Sequence, residues 1–218
     1  MTAHGRQLVL SRQARIVLKT GVWLVCLAPL AVLVARFALD RLGTNPIELV
    51  THTLGDWTLR ILLASLAATP LRILTGWAWP ITLRRLLGLF AFAYAVLHFL
   101  VWMVLDFYFD WPQMAADIVK RPYITVGMTA LLLLLPLAVT STAGMVKRLG
   151  ARAWRRLHRL VHVAAVCGVL HYVWLVKVGR QTPLIYAAVL ALLLAIRIVD
   201  AVRRRMRRSR RSDVMAPA

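Results

Sequence analysis

The sequence predicts an all-α integral membrane bundle of six helices, and three observations carry that prediction. Apolar residues make up 61% of the 218, well above the ~45–50% of an ordinary soluble domain. They fall into six long runs joined by short polar connections, and the Lys and Arg residues gather in the connections rather than along one soluble face. A bilayer core about 30 Å thick needs about 20 apolar residues per helix. At a mean hydropathy of +0.71, the chain has room for six spans and no sizeable soluble domain.

The first run, 20–39, follows a basic segment, 1–19, and lacks a small-x-small cleavage site, so it is read as a retained helix rather than a signal sequence. The second, 57–75, is the least apolar, because it contains Arg60, Pro70 and Arg72. It spans if the two arginines reach opposite interfaces. The remaining runs are 86–106, 122–141, 157–177 and 183–200, and a basic tail, 201–218, follows. Residues 20–200 thus form one transmembrane domain between two cytoplasmic segments.

The charges orient the bundle. With the N-terminus inside, the inner segments hold 20 cations, and the outer ones hold six cations with six of the eight acids. The positive-inside rule therefore predicts a multi-pass inner-membrane protein with both termini cytoplasmic. It also accounts for the net charge of +20 without nucleic acid as a partner. Trp57, Trp102, Trp111, Trp154 and Trp174 lie near span ends, as an aromatic belt requires. The seven arginines between 203 and 211 read as a stop signal in contact with anionic membrane lipid. Cys26 and Cys167 each sit alone in an apolar run and read as core residues. No Gly-rich phosphate loop or nucleotide fingerprint is present, so any electrons the chain carries come from another molecule.

Four of the six histidines fall in or at the edge of apolar runs: His98 in the third, and His158, His162 and His171 in the fifth. His4 and His52 read as surface residues. Ionisable groups at membrane depth are costly unless they meet a partner, a cavity or a cofactor. His98 lies 12 residues past 86 and His171 14 past 157; at ~1.5 Å per residue these are ~18 and ~21 Å along parallel helices. Two neutral imidazoles at one depth supply both axial ligands of a haem iron, a ligation that favours electron transfer over oxygen binding.

His158 precedes His171 by 13 residues, or ~20 Å of helix, which suits a second, inner haem. Its register is ~140° off, and Arg84 and Arg85 stand where its opposite ligand is expected. One haem is therefore better supported than two. His162, one turn beyond His158, is an alternative ligand, a propionate partner or a packed neutral residue. Arg84, Arg85, Arg155, Arg156 and Arg159 are positioned to pair with haem propionates or a flavin phosphate, though topology alone puts cations there.

Four stretches, "LGDWTLRILLASLAATPLR", "RRLLGLFAFAYAVLHFLVWMVLD", "KRPYITVGM" and "TSTAGMVKRLGARAWRRLHRLVHVAAVCGVLHYVWLVK", resemble the MsrQ (formerly YedZ) family. Its wider relatives are the ferric reductase-like transmembrane domains. The resemblance covers roughly residues 54–178. It implies that His98 and His171 are an axial pair for haem b and that His158 is a third haem-associated histidine. It also implies FMN as a cofactor, the quinone pool as electron source, and a periplasmic molybdopterin-containing methionine sulfoxide reductase subunit as acceptor. In that scheme this chain is not itself the enzyme. The second histidine on the third helix and the flavin- and nicotinamide-binding domain of the related oxidases are missing.

The leading expectation is an electron-transfer subunit for repair of oxidised periplasmic proteins. The alternative is a ferric reductase-like or quinone-coupled cytochrome b with another acceptor. A His-relay transporter or channel fits less well, because the acids lie outside the spans. A purely structural anchor leaves the membrane-depth histidines without a role.

Overall fold

The computed structural model describes residues 11–176 and 181–214. His4, Lys177, Arg180 and the last residues of the tail lie outside the described residues. Within them the chain is helical, with no strand: α1 (Arg12–Ala38), α2 (Pro46–Thr75), α3 (Trp79–Val101) continuing as a π turn (Trp102–Asp106), α4 (Trp111–Lys120), α5 (Pro122–Val139), α6 (Ala143–Leu157), α7 (Leu160–Leu175) and α8 (Thr182–Val214).

Local chemistry sets these limits. Ser11 accepts from the Ala14 amide at 3.1 Å and starts α1; Asn45 and Asp110 do the same for α2 and α4. Gly76 ends α2 in the left-handed region (φ 77°) and returns its amide to the Arg72 carbonyl. Helix α1 begins inside segment 1–19, and α8 continues past residue 200 into the tail, so both segments are partly helical.

The least apolar span is the central one. Of its most apolar stretch, 44% is buried within the protein, against 11–22% for α1, α3, α5 and α8. Ser65 of α2 is buried, while the exposed Arg60 donates to the Tyr186 hydroxyl at 2.8 Å and approaches Asp56. Fully buried Ala91, Ala164 and Ala165 on α3 and α7 let the neighbouring backbones come close. The outward faces of α1, α5 and α8 expose Leu24, Phe37, Leu132 and Leu192, as lipid-facing helices do. Helix α1 is peripheral and is tied to α3 where the Tyr94 hydroxyl donates to the Cys26 carbonyl at 2.6 Å.

Two helices lie outside the six apolar runs. Helix α4 is short and amphipathic, and buries Met114 alone. Helix α6 is basic and amphipathic, breaks at Gly150 (φ 74°) and meets α7 at a 44° bend. The 16 residues of α7 cover only ~24 Å, and α6 and α7 are together long and apolar enough for one bent span. The resulting bundle has a basic end (Arg84, Arg85, α6 and the end of α8) and an acidic end that gathers most of the acids (Glu48, Asp56, Asp106, Asp110 and Asp117) alongside Arg36, Arg41, Lys120 and Arg121.

Candidate functional site

His98 on α3 and His171 on α7 face each other with ring centroids 6.2 Å apart and planes at 79°. Each ring is held by the same device. His98 Nδ1 lies 2.9 Å from the Thr51 carbonyl on α2, and His171 Nδ1 lies 2.7 Å from the Tyr123 carbonyl on α5. A carbonyl only accepts, so both Nδ1 atoms carry the hydrogen and each Nε2 keeps its lone pair.

One turn beyond each carbonyl stands a glycine, Gly55 after Thr51 and Gly127 after Tyr123, on the same helix face. A Cβ would lie 3.2 Å from His98 Cε1 at Gly55, and 2.7 Å from His171 Nδ1 at Gly127. The carbonyl orients the ring and the glycine makes room for it.

Between the rings opens a cavity of about 270 Å³. Leucines 59, 62, 131 and 134 wall it, and small residues such as Ala95, Ala130 and Gly168 leave it open, while His52, Asp56, Asp106 and Arg121 stand at its acidic-end mouth. Imidazole binds a metal at ~2 Å, and a ring centre lies ~1 Å behind its nitrogen, so two rings on opposite sides of one iron have centres ~6 Å apart. The residues present therefore fit a flat macrocycle ligated from both faces. The π turn starts one turn after His98, and such turns occur frequently at functional sites.

The other histidines stand apart from this pair. His158 falls in the break between α6 and α7, stacked on Trp154 at 3.9 Å and 3.1 Å from the Thr140 hydroxyl. That hydroxyl donates to the Pro136 carbonyl, so it accepts from His158 Nε2–H and leaves Nδ1 with a lone pair. The described contacts of His158 bring it no second imidazole. His162 has both nitrogens engaged: Nδ1 donates to the Arg159 carbonyl at 2.9 Å, and Nε2 accepts from Arg197 at 3.1 Å.

Arg197 escapes the sequence reading, and its signal is a proline. Pro70 has no N–H to offer the carbonyl four residues earlier, that of Leu66. Arg197 donates to that carbonyl at 2.6 Å, so one side chain of α8 bridges α2 and α7. Arg197→Ala leaves a carbonyl and an imidazole nitrogen unpaired, an expected loss of about 1–2 kcal/mol that lowers the detergent melting temperature by about 2–6 °C. An unchanged melting curve would refute the bridge. Thr51, Gly55, Tyr123 and Gly127 were missed as well, and so was His52, which lines the cavity mouth with Nε2 3.6 Å from Glu48.

Residues 54–169 match the family described as ferric reductase like transmembrane component. Among curated proteins, the chain is 59% identical over 187 residues to a protein of Rhodospirillum rubrum, covering 86% of this chain and 90% of that one. It is 49% identical over 191 residues to a protein of Herminiimonas arsenicoxydans (86% and 87%) and 51% identical over 183 residues to one of Ralstonia nicotianae (83% and 84%). Each of the three is named protein-methionine-sulfoxide reductase heme-binding subunit MsrQ.

Proposed function

Since the chain belongs to the MsrQ family of ferric reductase-like membrane proteins, we propose that it holds haem b between His98 and His171 and conducts electrons across the bacterial inner membrane. The opposed pair of Nδ1-anchored imidazoles across one cavity carries this reading. Bound haem supplies reversible one-electron chemistry at its iron. The chain's own residues do the rest. His98 and His171 would hold the group through their Nε2 atoms, which the carbonyl contacts at Nδ1 leave free. The carbonyls of Thr51 and Tyr123 hold the tautomer and raise the basicity of the ligating nitrogens. Apolar walls keep water from the site.

The donor in this reading is the quinone pool, and the acceptor is a periplasmic molybdopterin-containing subunit that reduces methionine sulfoxide in oxidised proteins. The basic end faces the cytoplasm, with residues 1–19 and 201–218 on that side, as the positive-inside rule favours. FMN, implied by the resemblance, belongs at the same end, where cations can meet its phosphate. His158 is the candidate for a second haem, with the Nδ1 lone pair as its ligand.

Oxidised and dithionite-reduced spectra of the purified protein, with a pyridine haemochrome assay, test the reading. Sharp low-spin b-type bands at one haem per chain support the His98 and His171 pair, and a value near two brings in His158. A folded, colourless preparation that cannot be reconstituted with haem overturns the proposal. The second reading is a ferric reductase-like or quinone-coupled cytochrome b with another acceptor, and transfer to the methionine sulfoxide reductase subunit separates the two.

A further inference from the structure

Resting on the electron-conduit reading, we propose that the loop from Phe107 to Trp111, with the acids beside it, is the docking surface for a soluble electron acceptor whose contact face is basic. The loop is strained. Tyr108 and Phe109 have φ of 47° and 64°, a left-handed conformation that bulky residues avoid and that survives where the surroundings impose it, typically at functional sites. It turns aromatic rings outward, with Tyr108 76%, Phe109 48% and Trp111 62% exposed. Exposed aromatic side chains of this kind anchor protein interfaces.

The loop is also continuous with the candidate haem cavity. Phe99 and Trp102 line that cavity; Trp102 lies 5.8 Å from Phe99 and 5.0 Å from Phe107, centroid to centroid. Ring contacts therefore run from the cavity wall to the base of the loop. An acceptor seated there stands at the near outlet of the electron. One electron crosses per encounter, lost by the reduced haem and gained by the acceptor, with no bond made or broken.

Charge selects the occupant. In a chain of net +20, the loop is flanked by Asp106 and Asp110, which have no cation within salt-bridge distance among the described residues. Asp56 and Asp117 are offset by Arg60 and Arg121, and Glu48 faces His52. At the loop itself these two acids attract a basic face and repel an acidic one, although Lys120 and Arg121 follow at the far end of α4. A lipid-interface role accounts for exposed aromatic rings, but not for two left-handed aromatic residues between acids that meet no cation among the described residues, which anionic headgroups repel.

The test is anaerobic stopped flow. Dithionite-reduced holoprotein in phosphatidylcholine nanodiscs, freed of excess reductant, is mixed with oxidised cytochrome c, a lysine-rich soluble protein. The variant D110N keeps the α4 cap, because Asn caps as well as Asp. It should slow oxidation severalfold at low salt and converge with the parent at high salt. Y108S/F109S should slow oxidation at both salt levels. The haem spectrum must be intact in every variant; loss of haem from the parent indicts the conduit reading, not the docking surface. Equal rates in all variants overturn the docking proposal. So does strong quenching of Trp111 fluorescence, read against Trp111→Phe, by brominated acyl chains.

Discussion

His98→Ala or His171→Ala is expected to remove the main bound haem, lowering haem per chain by at least about tenfold, whereas His162→Ala retains most of it. The contrast follows from what each nitrogen is doing. His98 and His171 spend Nδ1 on backbone carbonyls and leave Nε2 for a metal. His162 has neither nitrogen free, since Arg159 and Arg197 engage both. Losing either member of the facing pair also removes one of only two protein bonds to the iron in the proposed site. The variants still fold if binding is the only loss, because neither ring is a principal core side chain. Free imidazole in the buffer should then partly restore the low-spin bands by filling the vacated position. Full haem retention in His98→Ala and His171→Ala would sink the ligand assignment.

Much of this site is legible in the residue pattern, for reasons that can be named. A histidine inside an apolar run carries its own alarm, because membrane burial of an ionisable group is costly. Equal depth then pairs His98 with His171. The helix starts used to judge depth were poor rulers, since α3 begins at Trp79 rather than 86 and α7 at Leu160 rather than 157. The two rings nevertheless lie 6.2 Å apart.

What stayed hidden depends on contacts between chain segments far apart in sequence. His52 reads as a surface residue in an interfacial stretch, and only the approach of α2 to α3 puts it at the cavity mouth. Arg197 becomes intelligible through Pro70, 127 positions earlier in the chain, because the freed Leu66 carbonyl needs a donor. Helix α6 was hidden by its own charge: a run such as "KRLGARAWRRL" shows topology first and amphipathic periodicity second. The 140° mismatch between His158 and His171 presumes one unbroken helix. The helix is broken at that point, and His158 turns to Thr140 and Trp154.

Gly127→Ala should produce the second large effect, and it separates site geometry from stability. In a helix interior Gly→Ala is worth about 1 kcal/mol in favour of the helix, which offsets a lost hydrogen bond of about the same size, so the apoprotein should melt close to the parent. At Gly127, however, the new Cβ meets His171 Nδ1 at 2.7 Å, closer than real Cβ atoms come to any neighbour. The ring cannot simply slide away, since that same nitrogen is bonded to the Tyr123 carbonyl one turn back. Either the hydrogen bond breaks or the imidazole leaves its place opposite His98. Both outcomes weaken axial ligation, and loss of such an outer-shell partner typically costs about 10–100-fold in affinity. Haem content should therefore fall about tenfold or more, or the remaining haem should lose its sharp low-spin bands, while the fold holds. Gly55→Ala provides the graded comparison. Its Cβ would meet His98 Cε1 at 3.2 Å, a contact relieved by a few tenths of an ångström, so its haem loss should be smaller. Parent-like spectra and haem content in Gly127→Ala would mean that the glycine is not what makes room for the imidazole.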